Sequence, residues 1–168
     1  MSIVSYLLAI QNTSFFSVIR ESAYAYPILL SFHLCGIALS AGMVLVTDLR
    51  LMGISFGSYP ADEMVHQLRI PKLFGLAVVL TCGLLIALSN AARYYSNPLF
   101  RIKMALLAAL LVHAIGTRRL YADARMSDLR KLSPLSLRWA AIVSLILWTG
   151  VVIAGRGIGY VRVSVPQH

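Results

Sequence analysis

Four histidines stand out in this chain: His33, His66, His113 and His168. Imidazole is the commonest metal ligand and the side chain that titrates nearest neutral pH. His33 and His113 lie within long apolar runs, where an ionisable side chain is costly and is a functional candidate by default. Their neighbours have a pattern. His33, Gly36 and Ser40 follow one another at steps of three and four, which places them on one helix face. Ala105, Ala109, His113 and Gly116 do the same further along. Small residues beside an imidazole leave room for a flat macrocycle, and haem is the macrocycle that histidine holds in helical bundles. Small residues also let helices pack closely, and a histidine can serve only to hydrogen-bond across them. Both readings stay open on the sequence.

These residues need elements to carry them. The chain has 168 residues, 59% hydrophobic and 12% charged, against roughly 25% charged in an ordinary soluble domain. A soluble fold of this size cannot hide so much apolar surface, so lipid must cover part of it. The sequence predicts an all-α integral membrane bundle, a single domain over 1–168 with four spans at about 24–47, 70–90, 99–116 and 137–154. Each approaches the ~20 residues needed to cross a hydrocarbon core. Ser5 to Glu21, broken by Gln11, Asn12, Thr13 and Ser14, predicts an interfacial helix anchored by Tyr6, Phe15 and Phe16. The start of the chain lacks the basic region and small-residue cleavage site of a secretory signal.

The net charge of +9 does not point to nucleic acid, because the basic residues fall between apolar spans, where they act as topology signals and lipid contacts. With both termini on one side, that side carries Arg20, Arg93, Arg101, Lys103, Arg156 and Arg162. The other side carries nine basic residues, six of them in the third loop. The positive-inside rule then puts both termini outside the cytoplasm.

Depth discriminates among the histidines. His33 lies ~13 Å in from Tyr24, and His113 ~21 Å in from Leu99 but only ~7 Å from Arg118. The first and third spans run parallel, so the two imidazoles fall in opposite halves of the bilayer. One haem between them requires a shift of ~8–14 Å. His66, at the inner edge, matches His113 better in depth. His168 is the last residue and carries no role. The carboxylates Glu21, Asp48, Asp62, Glu63, Asp123 and Asp128 all fall away from span centres, and Asp48 and Arg50 read as an anchoring pair. Cys35 and Cys82 sit in apolar runs without neighbours at metal-ligand spacing. No phosphate-binding glycine loop, zinc signature or Ser/His/Asp set occurs. Arg93, Arg101 and Lys103 cluster at the outer end, able to meet lipid phosphate, a haem propionate or a quinone head group.

The stretch H-L-C-G-I-A-L-S-A-G-M-V-L-V-T-D-L-R-L-M-G, with His33, Gly36, Gly42 and Asp48-Leu49-Arg50-Leu51, resembles a histidine helix of small bacterial membrane proteins. These include an uncharacterised four-helix family, the CopD-like copper-resistance domain and the HemJ-type protoporphyrinogen oxidases. N-P-L-F-R-I-K-M-A-L-L, with Asn97, Pro98, Phe100 and Lys103, resembles the lead-in to their third helix. The HemJ likeness implies a b-type haem, with His33 at the first-helix histidine position and Lys103 at a functionally important lysine. The CopD likeness implies copper handling, although the methionines here form no ligand pair with a histidine.

Two functions are therefore expected to compete. One is a haem-b-binding, cytochrome b-like subunit of the bacterial inner membrane. It would carry electrons between an extracytoplasmic redox protein and the quinone pool, with His33, His113 and His66 as ligands in that order and Gly36 and Lys103 beside them. The other is a cofactor-free anchor or accessory subunit of a larger complex. A homo-oligomer is compatible with either.

Overall fold

The computed structural model describes residues 3–56, 61–126 and 134–161. All eight described elements are helices: α1 (Ile3–Gln11), α2 (Ser14–Glu21), α3 (Ala25–Met52), α4 (Ala61–Gln67), α5 (Arg69–Ser89), α6 (Ala91–Ser96), α7 (Pro98–Met126) and α8 (Pro134–Gly157). Four of them, α3, α5, α7 and α8, are long and apolar enough to cross a membrane. The 21 residues of α5 span ~31 Å at 1.5 Å per residue. The accessible surface is 11131 Å², against ~8,200 Å² expected for a compact soluble protein of this mass. Large apolar side chains stand exposed along the helices, Phe74, Leu84, Val112 and Ile153 among them. Lipid is the solvent for that surface.

Local chemistry sets the helix ends. Each spanning helix has a proline in its first turn (Pro27, Pro71, Pro98 and Pro134), where an amide has no intrahelical partner to lose. The first span does not stop at Thr47 as expected but continues through Asp48-Leu49-Arg50 to Met52. It ends where Gly53 takes a left-handed conformation, φ 75° and ψ 17°. The Gly53 amide then donates to the Arg50 carbonyl and the Ile54 amide to that of Leu49, closing the helix in a Schellman motif. The single interfacial helix expected over Ser5–Glu21 is two helices, parted at Asn12-Thr13. α4 (Ala61–Gln67) leads into α5. Residues 127–133 of the third loop and the last seven residues, His168 among them, lie outside the described residues.

Packing order follows from the closest approaches. His33 meets Val79 and Gly83 while Ser40 meets Gly75, so α3 and α5 are antiparallel. Leu99 meets Gly157, Leu106 meets Gly150 and His113 meets Ala140, so α7 and α8 are antiparallel too. α3 also packs on α8. Among the described residues no Cα of α5 comes within 8 Å of α7 or α8, and none of α3 within 8 Å of α7. The helices therefore run α5–α3–α8–α7, and the bundle is open along the side between α5 and α7.

One end of that opening is tied by α1, α2 and α6. The Arg20 guanidinium donates to the carbonyls of Gln11 (3.0 Å) and Ser89 (3.3 Å), and the Gln11 side-chain oxygen accepts from the Ala92 amide (3.1 Å). Asn97, 1% exposed, joins α7 to α8. Its side-chain oxygen accepts from the Leu99 amide at 2.9 Å and its amide donates to the Ile158 carbonyl at 3.4 Å. Asn97→Ala removes a helix cap and leaves buried groups unmatched, so it is expected to cost about 2 kcal/mol. A thermal unfolding midpoint in detergent equal to wild type would show the cap to be idle.

Candidate functional site

His33 sits two turns into α3 and is 8% exposed. Its Nδ1 lies 3.0 Å from the Val79 carbonyl oxygen. A carbonyl only accepts, so Nδ1 carries the proton and donates it, and Nε2 keeps its lone pair. The ring lies against Gly83, where a Cβ would stand 2.9 Å from Cε1. Glycine at 83 is therefore the socket that admits the imidazole between α3 and α5.

Lys103 is the second member. As a snorkelling residue it would point out to the head groups, but it is half-buried and turned inward. Its aliphatic stem runs past Gly155 of α8, where a Cβ would meet Nζ at 3.6 Å and Cε at 3.7 Å. Its ammonium is close enough to His33 to interact with it electrostatically. The neighbouring Arg101 behaves as a surface group, exposed and 5.5 Å from the Tyr95 ring centroid. Above His33, Tyr94 of α6 hydrogen-bonds Tyr26 of α3, and burial pushes its phenol well above the usual tyrosine range.

The remaining candidates are placed elsewhere. Gly36 does not leave a gap. A Cβ there would meet Val78 Cγ1 at 3.0 Å, the Gly75 carbonyl at 3.1 Å and Val79 Cγ2 at 3.1 Å, so it serves the close crossing of α3 and α5. His113 is half-buried on α7 and donates from Nε2 to the Ala140 carbonyl of α8 at 3.0 Å. That leaves only Nδ1, crowded by its own backbone, as a lone-pair donor. His66 is exposed on α4, which packs on α3 and α5 and away from α7. His33 is thus joined to α5 and His113 to α8, while His66 stands apart on α4. Among the described residues no three His, Cys, Asp or Glu side chains converge on a metal-binding point.

A comparison with protein families now bears on this arrangement. The family model described as "Family of unknown function (DUF6644)" matches residues 8–161. The chain belongs to the DUF6644 family. No curated protein and no solved structure matches it. The match runs from α1 to just past α8. The match therefore covers most of the short N-terminal helices as well as the four long ones.

Two groups of residues escaped the sequence reading. The glycines of α8, Gly150, Gly155 and Gly157, are sockets for Leu106, Lys103 and Leu99. Their spacing is visible in the sequence, but the helix that fills them is not. Asp48 is a buried residue inside α3 rather than an anchor beyond it, at 6% exposed. The signal was the apolar Leu49, Leu51 and Met52 that follow it before Gly53 ends the helix.

Proposed function

We propose that this DUF6644 protein is a small haem-b-binding membrane subunit passing electrons between an extracytoplasmic donor and the quinone pool of a bacterial inner membrane. The observation that carries the reading is His33, a buried imidazole whose Nδ1–H is fixed on a backbone carbonyl, which leaves the lone pair on Nε2. That is how proteins prepare a histidine for a metal, because the outer hydrogen bond sets tautomer, orientation and basicity. His33 is the residue that would hold a haem iron, through Nε2. Space for the ring has to come from the open side between α5 and α7, since Val78, Val79 and the imidazole itself fill the notches at Gly36 and Gly83. Bound haem would supply one-electron chemistry. The chain's own part is to hold His33 against Val79, to keep water from it, and to set the Lys103 ammonium nearby as a partner for an anionic propionate or quinone oxygen.

A visible spectrum of detergent-purified protein from haem-replete cells tests this. A Soret band that sharpens and shifts on reduction is expected. A colourless, helical, monodisperse preparation ends the proposal.

One observation favours the cofactor-free anchor instead. Both spanning histidines donate to a carbonyl of a neighbouring helix, which is what helix cement does. Unchanged mobility of the purified protein with and without haem, together with a colourless preparation, would select it.

The orientation proposed is both termini outside and the third loop in the cytoplasm, from the six basic residues that loop carries. A protease site placed between α7 and α8 is then cut in inverted vesicles and spared in intact spheroplasts. The reverse pattern would invert the topology.

A further inference from the structure

Fifteen residues beyond His33 on α3, ~22 Å along the helix, Asp48 is packed between α5 and α8. The carboxylate is 6% exposed. The buried Ser144 hydroxyl of α8 donates to it, and among the described residues Oδ2 has no partner at all. Lys72 of α5 is the cation that acts on it. The other charged groups near this end are Arg50, two residues on along α3, and Arg138 of α8, whose Nη2 lies 3.6 Å from where a Cβ of Gly53 would be. Glu63 and His66 of α4, which also packs on α3, are both exposed.

A buried carboxyl with one oxygen satisfied and the other bare is not a finished structural bond, because native interiors pair their buried polar atoms. The bare oxygen has to be matched by something. A metal cation is disfavoured, since Lys72 already acts on the carboxylate as a cation and among the described residues no three His, Cys, Asp or Glu side chains converge on a metal-binding point. The smallest species that completes the group is a proton. Asp48 stands one turn from the end of α3, where a proton has only a short path to water.

We propose that Asp48 is a proton-binding site, its Oδ2 taking up and releasing a proton at the end of the bundle remote from His33. The exchange is a simple one, carboxylate plus a proton from the adjoining water giving the acid, with no electron moved. It does not depend on haem. Ser144 holds the carbonyl oxygen of the acid form, and Lys72 balances the charged form.

Infrared difference spectra of the purified full-length protein, taken between about pH 5 and pH 8, read this directly. The wild type is expected to show a deuterium-sensitive carboxylic-acid C=O band that grows on acidification and is lost in Asp48→Asn. Ser144→Ala, a milder change, keeps the band and moves it to higher frequency, because the C=O has lost its donor. That shift assigns the band even if Asp48→Asn fails to fold. No protonated-acid band anywhere in the window, or a band that neither substitution alters, overturns the proposal.

Discussion

On the proposed reading, His33→Ala protein purifies with less than about a tenth of the wild-type haem, while His113→Ala keeps most of it. The two residues are one type in similar apolar surroundings, and the difference lies in which nitrogen each has left. His33 donates from Nδ1 and presents Nε2, the nitrogen at the far edge of the ring. His113 donates from Nε2 and keeps only Nδ1, hemmed in by its own main chain. Gly83→Ala adds a methyl where Cε1 stands 2.9 Å away, so it displaces the ring without removing the ligand. Changing the orientation of a ligand typically costs 10–100-fold in affinity, so Gly83→Ala should lie between the other two. Lys103→Met removes a charge but no proposed ligand, and its effect should be smaller than that of Gly83→Ala. Haem-to-protein ratios from pyridine extracts of the four variants give the ordering. Equal haem in His33→Ala and His113→Ala would remove His33 from any ligand role.

The lipid-embedded helices were legible because their cause is one-dimensional. Some 20 apolar residues in a row have a single economical fate in a bilayer, and backbone groups in lipid must be satisfied within the helix. The end of α3 was less legible for a similar reason. Asp48 and Arg50 look like a polar stop, but Asp48 is accommodated by Ser144 and Lys72, residues ~100 and ~25 positions away that no local pattern announces. The small residues beside His33 misled in a specific way. A glycine records that something approaches closely, and not what approaches. At Gly36 the visitor is α5 backbone and valine, and at Gly83 it is the imidazole itself. The pairing of Lys103 with His33 needed the packing order α5–α3–α8–α7. Sequence spacing gives depth along a helix but not which helices face one another.

That packing order is most exposed to change at Gly75. A Cβ on Gly75 would stand 2.8 Å from the Ser40 amide nitrogen, 3.0 Å from the Gly36 carbonyl oxygen and 3.2 Å from Leu39 Cβ. Two of these three are main-chain atoms of a helix, so no rotamer change relieves them and α3 must move away from α5. Alanine in place of an interior helical glycine otherwise gains about 1 kcal/mol. Overpacking that forces backbone shifts costs typically 1–3 kcal/mol and sometimes more, and contacts this short belong at the upper end. Gly75→Ala should therefore lose about 2 kcal/mol net. Gly42 of the facing helix α3 supplies the control, since nothing lies within 4 Å of its added methyl, and Gly42→Ala should equal or exceed wild type. The loss reaches the candidate site as well. Val79 lies one turn from Gly75 on α5, so a wider crossing stretches the 3.0 Å bond that fixes the His33 tautomer. Reversible unfolding in mixed micelles measures the first effect and the haem-to-protein ratio the second. If Gly75→Ala unfolds with Gly42→Ala, α3 and α5 do not cross at Gly36 and Gly75, and the position of His33 between them falls with that contact.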